Sequence, residues 1–130
     1  MADAHKNFSY SLVATAPAPA TTGLSLVVTA AEGVNFPAAP FNVTIWPAST
    51  QPLASNAEIA RVTDISTDTF TIVRAQEGST ARTVIIGDQI AATITTEWMN
   101  RVEGDASCDT QTMNVYDEIM TPNYDDGVLA

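Results

Sequence analysis

Through the chain before Glu97, apolar and polar residues tend to alternate with a period of two, and Gly, Pro, Asn, Asp and Ser break the alternation at short intervals. The segment Phe41-Asn-Val-Thr-Ile-Trp46 is strict: Phe41, Val43 and Ile45 share one face. Pro40 and Pro47 bound it, as expected of a strand that stops where a backbone donor is lost. Leu24–Thr29 reads as an earlier strand. Ala57–Ile65 and Thr69–Arg74 form a hairpin around Ser66-Thr67-Asp68, whose side chains stabilise turns through local hydrogen bonds. Gln76–Ser79 is a further turn, in which Gly78 can take positive φ. Thr83–Ile86 and Gln89–Ile94 flank Gly87-Asp88 and read as two short strands, or one strand with a bulge. Thr95–Glu103 then changes to helical character, with Thr95 or Thr96 as cap and Glu97 in the first turn. The fold class expected is all-β, a small β-sandwich or barrel closed by one short helix.

Outside this body the periodicity weakens. Residues 1–23 are expected to form an extended N-terminal arm. Phe8, Tyr10 and Leu12 alternate with Ser9 and Ser11 and could form a strand against a partner's edge, and Pro17-Ala-Pro-Ala20 favours polyproline-like backbone. Residues 24–103 are the β-body with its helix. Residues 104–130 are expected to form a second arm.

Charge sharpens the division. The net charge is −10, from 15 acidic and 5 basic residues. From Glu97 onward Glu103, Asp105, Asp109, Asp117, Glu118, Asp125 and Asp126 are opposed only by Arg101, which makes the second arm acidic. Such a balance disfavours nucleic acid and anionic membrane as partners, since both require basic surfaces. One cysteine, Cys108, excludes an internal disulfide and any multi-cysteine zinc site. The segments seen suit folding in a reducing cytoplasm.

Reactive chemistry is scarce. The one histidine, His5, lies in the leader, so no base is evident for a serine or cysteine nucleophile. Asp64 with Asp68, and Glu58 with Glu77, are the carboxylate pairs on folded elements, and a solvated strand face or turn is their simpler reading. Asp105 with Asp109, and Asp125-Asp126-Gly127, offer hard oxygen ligands without the spacing of an EF-hand. No enzyme, cofactor or metal is expected. Arg61, Arg74 and Arg82 suit ion pairs on the sheet, or a bidentate grip on a partner's carboxylate. Trp46 and Trp98 are either core or interface anchors.

The run from Asn56 to Arg82, with Glu58-Ile-Ala-Arg-Val-Thr63, Thr69-Phe-Thr-Ile-Val-Arg74 and Gln76-Glu-Gly-Ser-Thr80, followed by Ile86-Gly-Asp-Gln-Ile90, resembles a module recurrent in virion proteins of tailed bacteriophages. Residues 41–103 carry the likeness, and Arg74-Ala-Gln-Glu-Gly-Ser-Thr80 is its most specific part. The resemblance implies a structural protein at a tail-fibre base, in a baseplate or minor tail protein, or on the capsid surface. Nothing fibre-like follows the helix, which favours a stand-alone capsid decoration protein, with a tail, collar or fibre-anchoring adaptor as the alternative and a surface carbohydrate-binding module as a third. The expected setting is the virion, assembled in the host cytoplasm. The expected partners are the major capsid protein or another virion protein, and other copies of the chain, a trimer being favoured. The contact residues expected are Phe8, Tyr10, Leu12, Trp46, Arg74 and Trp98, with Val115, Tyr116, Ile119, Met120 and Tyr124 in the acidic segment.

Overall fold

A computed structural model describes residues 3–103. The chain divides into two compact units, residues 1–93 and the segment from Ile94 onward. The first is a closed six-stranded barrel, so the all-β expectation holds in its barrel form.

The staves are β1 (Tyr10–Thr15), β2 (Ser25–Val28), β3 (Phe41–Trp46), β4 (Glu58–Ser66), β5 (Thr69–Val73) and β6 (Gln89–Ala91). Their order around the barrel is β1-β2-β5-β4-β3-β6, and every pairing is antiparallel. Closure leaves no free edge among these strands. The β3 stave matches the strict alternation between its two prolines. The hairpin also forms, β4 against β5, with Ser66 opposite Thr69 and a two-residue tip at Thr67-Asp68.

Three expectations are corrected. Residues 10–15 are not an arm but a stave, because β2 and β6 of the same chain supply the edges that β1 needs. Its phase is also the reverse of the one that apolarity suggests: Ser11 and Val13 face inward, while Tyr10 and Leu12 face out. Ser11 is tolerated inside because its hydroxyl donates to Glu32 at 2.6 Å and accepts from the Thr29 N–H. The Pro17–Ala20 stretch does not run on as an extended arm: the chain bends at Ala18-Pro19 into a turn over residues 20–22, closed by the Gly23 N–H donating to the Pro19 carbonyl. A side chain at Gly23 would meet Ala18, Pro19 and Pro17 atoms within 2.8 Å, so only glycine fits there. Finally, Thr83–Ile86 forms no strand, and the strand after it ends at Ala91.

The core is built from inward positions of all six staves, including Val13, Leu26, Val28, Val43, Ile45, Val62, Ile72 and Ile90, with Phe36 and Val84 added from loops. A bulge between Val62 and Asp64 shifts the phase of β4, so Ile65 again packs against the core after two outward residues. At the Phe41 end of the β3–β4 ladder, Phe36, Phe41 and Phe70 close the barrel with ring centroids 4.9 to 6.4 Å apart.

The second unit is described as far as Glu103 and contains the helix α1, residues 96–103. Thr95 caps it, its hydroxyl accepting from the Trp98 N–H at 3.4 Å, and Arg101 pairs with Glu97 one turn away. The expected acidic arm, residues 104–130, lies outside the described residues, as do its carboxylate clusters and Cys108.

Candidate functional site

The β3–β4 ladder ends where Ile45 faces Glu58, opposite the aromatic plug, and there the barrel carries its densest chemistry. Alternation along β4 puts Glu58 on the same inward face as Ala60 and Val62, and Glu58 is 0% exposed. A carboxylate in such a position must be paired and hydrogen-bonded, because an isolated buried charge is costly. It is both. The Arg74 guanidinium donates to its two oxygens at 2.8 Å each, a bidentate fork. The Ala75 and Arg82 N–H groups donate to the same two oxygens at 2.8 and 3.0 Å.

Arg74 is equally committed. Its remaining N–H groups donate to the carbonyls of Ala20, Gly23 and Arg82, so all five donors of the guanidinium are engaged. Arg82 in turn pairs with buried Asp88 at 2.8 Å and donates to the Asn56 carbonyl. Asp88 also accepts from the Ile85 N–H, closing the Ile85–Asp88 turn in which Gly87 takes a φ of +94°. Residues 74–88, which have no regular strand or helix, are thus held by a relay of four buried or half-buried charges.

The electrostatics follow from this geometry. Burial would raise the Glu58 carboxyl, but hydrogen bonds from the Arg74 side chain, then from the Arg82 and Ala75 backbone, together with the Arg74 charge, outweigh it. They hold the carboxyl below its ordinary value. Glu58 is therefore ionised at neutral pH, and its charge is met by Arg74 inside the barrel. Among the described residues no group of three or more His, Cys, Asp or Glu side chains is placed to hold a metal ion.

The anticipated contact residues separate into two sets. Arg74 is corrected: the carboxylate it grips is Glu58 of its own barrel, its side chain is 7% exposed, and no donor is left for a partner. Trp46 is 8% exposed, with its indole N–H donating to the Thr50 carbonyl and its ring 6.4 Å from that of Tyr10. That geometry leaves no open indole face on the barrel for a sugar to stack on. In contrast, Phe8, Tyr10 and Leu12 are all exposed, Phe8 almost completely. Trp98 lies half-buried on α1. Val115, Tyr116, Ile119, Met120 and Tyr124 lie outside the described residues.

The carboxylate pairs also dissolve. Glu58 is the core of the relay, and Glu77 accepts instead from the Asn42 amide at 2.6 Å. Asp68 receives the N–H groups of Ala31 and Gly33, fastening the β4–β5 tip to the loop after β2, while Asp64 is exposed. Sequence reasoning missed Glu58 and Asp88 as buried partners. The signal for Glu58 was present, because a charge in phase with Ala60 and Val62 requires a cation inside the barrel.

Compared with models of known families and with curated proteins, the chain matches none.

Proposed function

We propose that this chain is a structural protein of a tailed-bacteriophage particle, a capsid decoration protein that binds the outer capsid surface and bridges neighbouring subunits. The single observation that carries the reading is the destination of the phage-like motif. Four of its charged residues, Glu58, Arg74, Arg82 and Asp88, are tied into one buried or half-buried framework, which suits a module selected to hold a shape. Chemistry is absent from the proposal: the Glu58 charge is met by Arg74, and the reading is of a non-enzymatic docking module without cofactor.

Its partners are then the major capsid protein and other copies of itself, a trimer being favoured, and its outward apolar residues on β1 supply contact area. Tyr10 and Leu12 project from a stave clamped between β2 and β6, so they meet a partner without an ordering cost of their own backbone. The arrangement resembles the virion module in sequence order as well, with the motif preceding a short helix.

Copy number tests the assignment. Particles purified from a lysate that carries this chain are analysed by quantitative mass spectrometry against the major capsid protein. A ratio near one to one, or one trimer per capsomer, is the expected result. A handful of copies per particle would move the protein to the tail, collar or fibre base, and absence from the particle would overturn the virion reading.

A further inference from the structure

Residues 3–15 are held to the rest of the barrel as an added peptide strand is held to a sheet. On one side Tyr10, Ser11 and Leu12 stand opposite Ala91, Ile90 and Gln89 of β6, and on the other Val13 and Thr15 stand opposite Val28 and Val27 of β2. Ahead of the strand the fastenings are polar. Asp3 makes a two-point pair with the Arg61 guanidinium of β4 at 2.9 and 3.0 Å. The Lys6 ammonium donates to the Val34 carbonyl, and the Ser9 hydroxyl is bonded to the Asn35 carbonyl at 2.9 Å. Of the thirteen described residues of the core cluster, this segment supplies one, Val13. Main-chain pairing on two edges, a few polar clamps and one buried apolar side chain are the terms on which an extended peptide docks by strand addition.

The connection to β2 points the same way. Pro17-Ala-Pro-Ala20 has the composition of extended backbone, yet the closed barrel bends the chain over residues 18–22. The later half of the connection is fixed in place, because Arg74 donates to the carbonyls of Ala20 and Gly23. Residues 16–19 are therefore the hinge. Extended, these four residues span at most about 14 Å, roughly three inter-strand spacings, which carries β1 clear of its own slot. We propose that residues 3–15 exchange between copies: the segment of one chain fills the slot between β2 and β6 of a second, and its Asp3 pairs with the second copy's Arg61. Slot and strand are the same in every copy, so the exchanged contacts equal the internal ones, and only the hinge and the protein concentration separate the two states. The proposal stands apart from residence in a phage particle. Its test uses the purified chain, and its failure leaves the copy-number test untouched.

Disulfide trapping between unlike chains decides it. Two full-length chains, both Cys108→Ser, carry one cysteine apiece, Leu12→Cys in the first and Gln89→Cys in the second. The two positions face each other in a pair without mutual hydrogen bonds, where cross-strand side chains come closest. The folded chains are mixed at high concentration, incubated, and mildly oxidised. A disulfide between them should form about tenfold faster than one between Leu12→Cys and Thr71→Cys chains, Thr71 being exposed on β5, which does not border β1. Adding Asp3→Arg to the first chain and Arg61→Asp to the second should raise the yield several-fold, because the ion pair then reforms only between unlike chains. The same two changes placed together in one chain should not raise it. Tyr10→Cys and Ala91→Cys chains, the next pair of the same kind, repeat the measurement, so loss of folding in one pair leaves the other to decide. A rate equal to that of the Thr71 control, or a yield indifferent to the charge reversal, would overturn the proposal.

Discussion

Replacing Glu58 with Gln changes one atom of the side chain and removes the charge from the centre of the relay. The carboxylate accepts four hydrogen bonds, two on each oxygen. Gln keeps one oxygen and places an N–H2 group against two donors that need an acceptor. On the Arg74 fork, that leaves either Nε or Nη2 facing another donor, with the guanidinium charge still buried and without its counter-ion. Breaking a buried ion pair from one side typically costs about 3–5 kcal/mol. Domains of this size have roughly 5–15 kcal/mol of stability, and each kcal/mol moves the midpoint by about 4–8 °C. The Glu58→Gln barrel should therefore melt about 15–30 °C below the parent, or fail to fold at all. The fluorescence of buried Trp46, in a Trp98→Phe background, reports unfolding with heat and with urea. The pair is further resolved by adding Arg74→Met. Removing both charges should be less harmful than the sum of the single losses, since neither partner is left alone, although the carbonyls of Ala20, Gly23 and Arg82 still lose their donor. A Glu58→Gln chain melting within about 3 °C of the parent would refute the reasoning, because it would mean that the buried fork contributes under about 1 kcal/mol.

The remaining predictions are briefer. Acid should destabilise the barrel through Glu58: its folded-state value is depressed, so its contribution is complete above the ordinary value of 4.5 and is lost as pH falls through the lower one. A urea series from pH 7 downward checks this, and the acid-limb loss should be smaller in the double variant lacking both Glu58 and Arg74. Thr67→Gly should stabilise the hairpin by about 1 kcal/mol, because Thr67 is β-branched and holds a φ of 60° at the tip. A rise in the urea midpoint with an unchanged slope is the expected readout. Gly33→Ala should lower stability by about 1–3 kcal/mol or more, since the added methyl would stand 2.0 Å from the Thr67 carbonyl oxygen and 2.9 Å from the Asp68 carboxylate. Thermal unfolding followed by circular dichroism measures it.

What could be read in the sequence tracked how completely local chemistry determined each element. Phe41–Trp46 was legible residue by residue because alternation and two flanking prolines coincide there. The β4–β5 hairpin was legible for the same reason, apart from the bulge after Val62, which leaves no mark in composition. β1 was misread because Tyr10 and Leu12 face outward and its buried Ser11 is satisfied by Glu32 and Thr29, groups farther along the chain. The Thr83–Ile86 run has strand composition, yet its backbone is held by tertiary partners: the Ile85 N–H by Asp88, the Val84 N–H by the Ala20 carbonyl. At the candidate site, Glu58, Arg74 and Arg82 were legible as charges of the hairpin region. Their inward direction became visible only with the register that places Glu58 opposite Ile45.

The barrel closes by pairing its first strand with its last. Tyr10 faces Ala91, and its hydroxyl meets Gln89 across 79 positions of sequence. Such a contact cannot form until nearly all of residues 10–91 has left the ribosome, so β1 waits through synthesis with an unpaired edge. The sheet is consequently of high contact order, a topology that folds in milliseconds to seconds and exposes strand edges meanwhile. The same closure makes Gln89–Ala91, three residues long, the latch of the whole fold, and a chain ending before it would retain two open sheet edges and a strong tendency to associate through them.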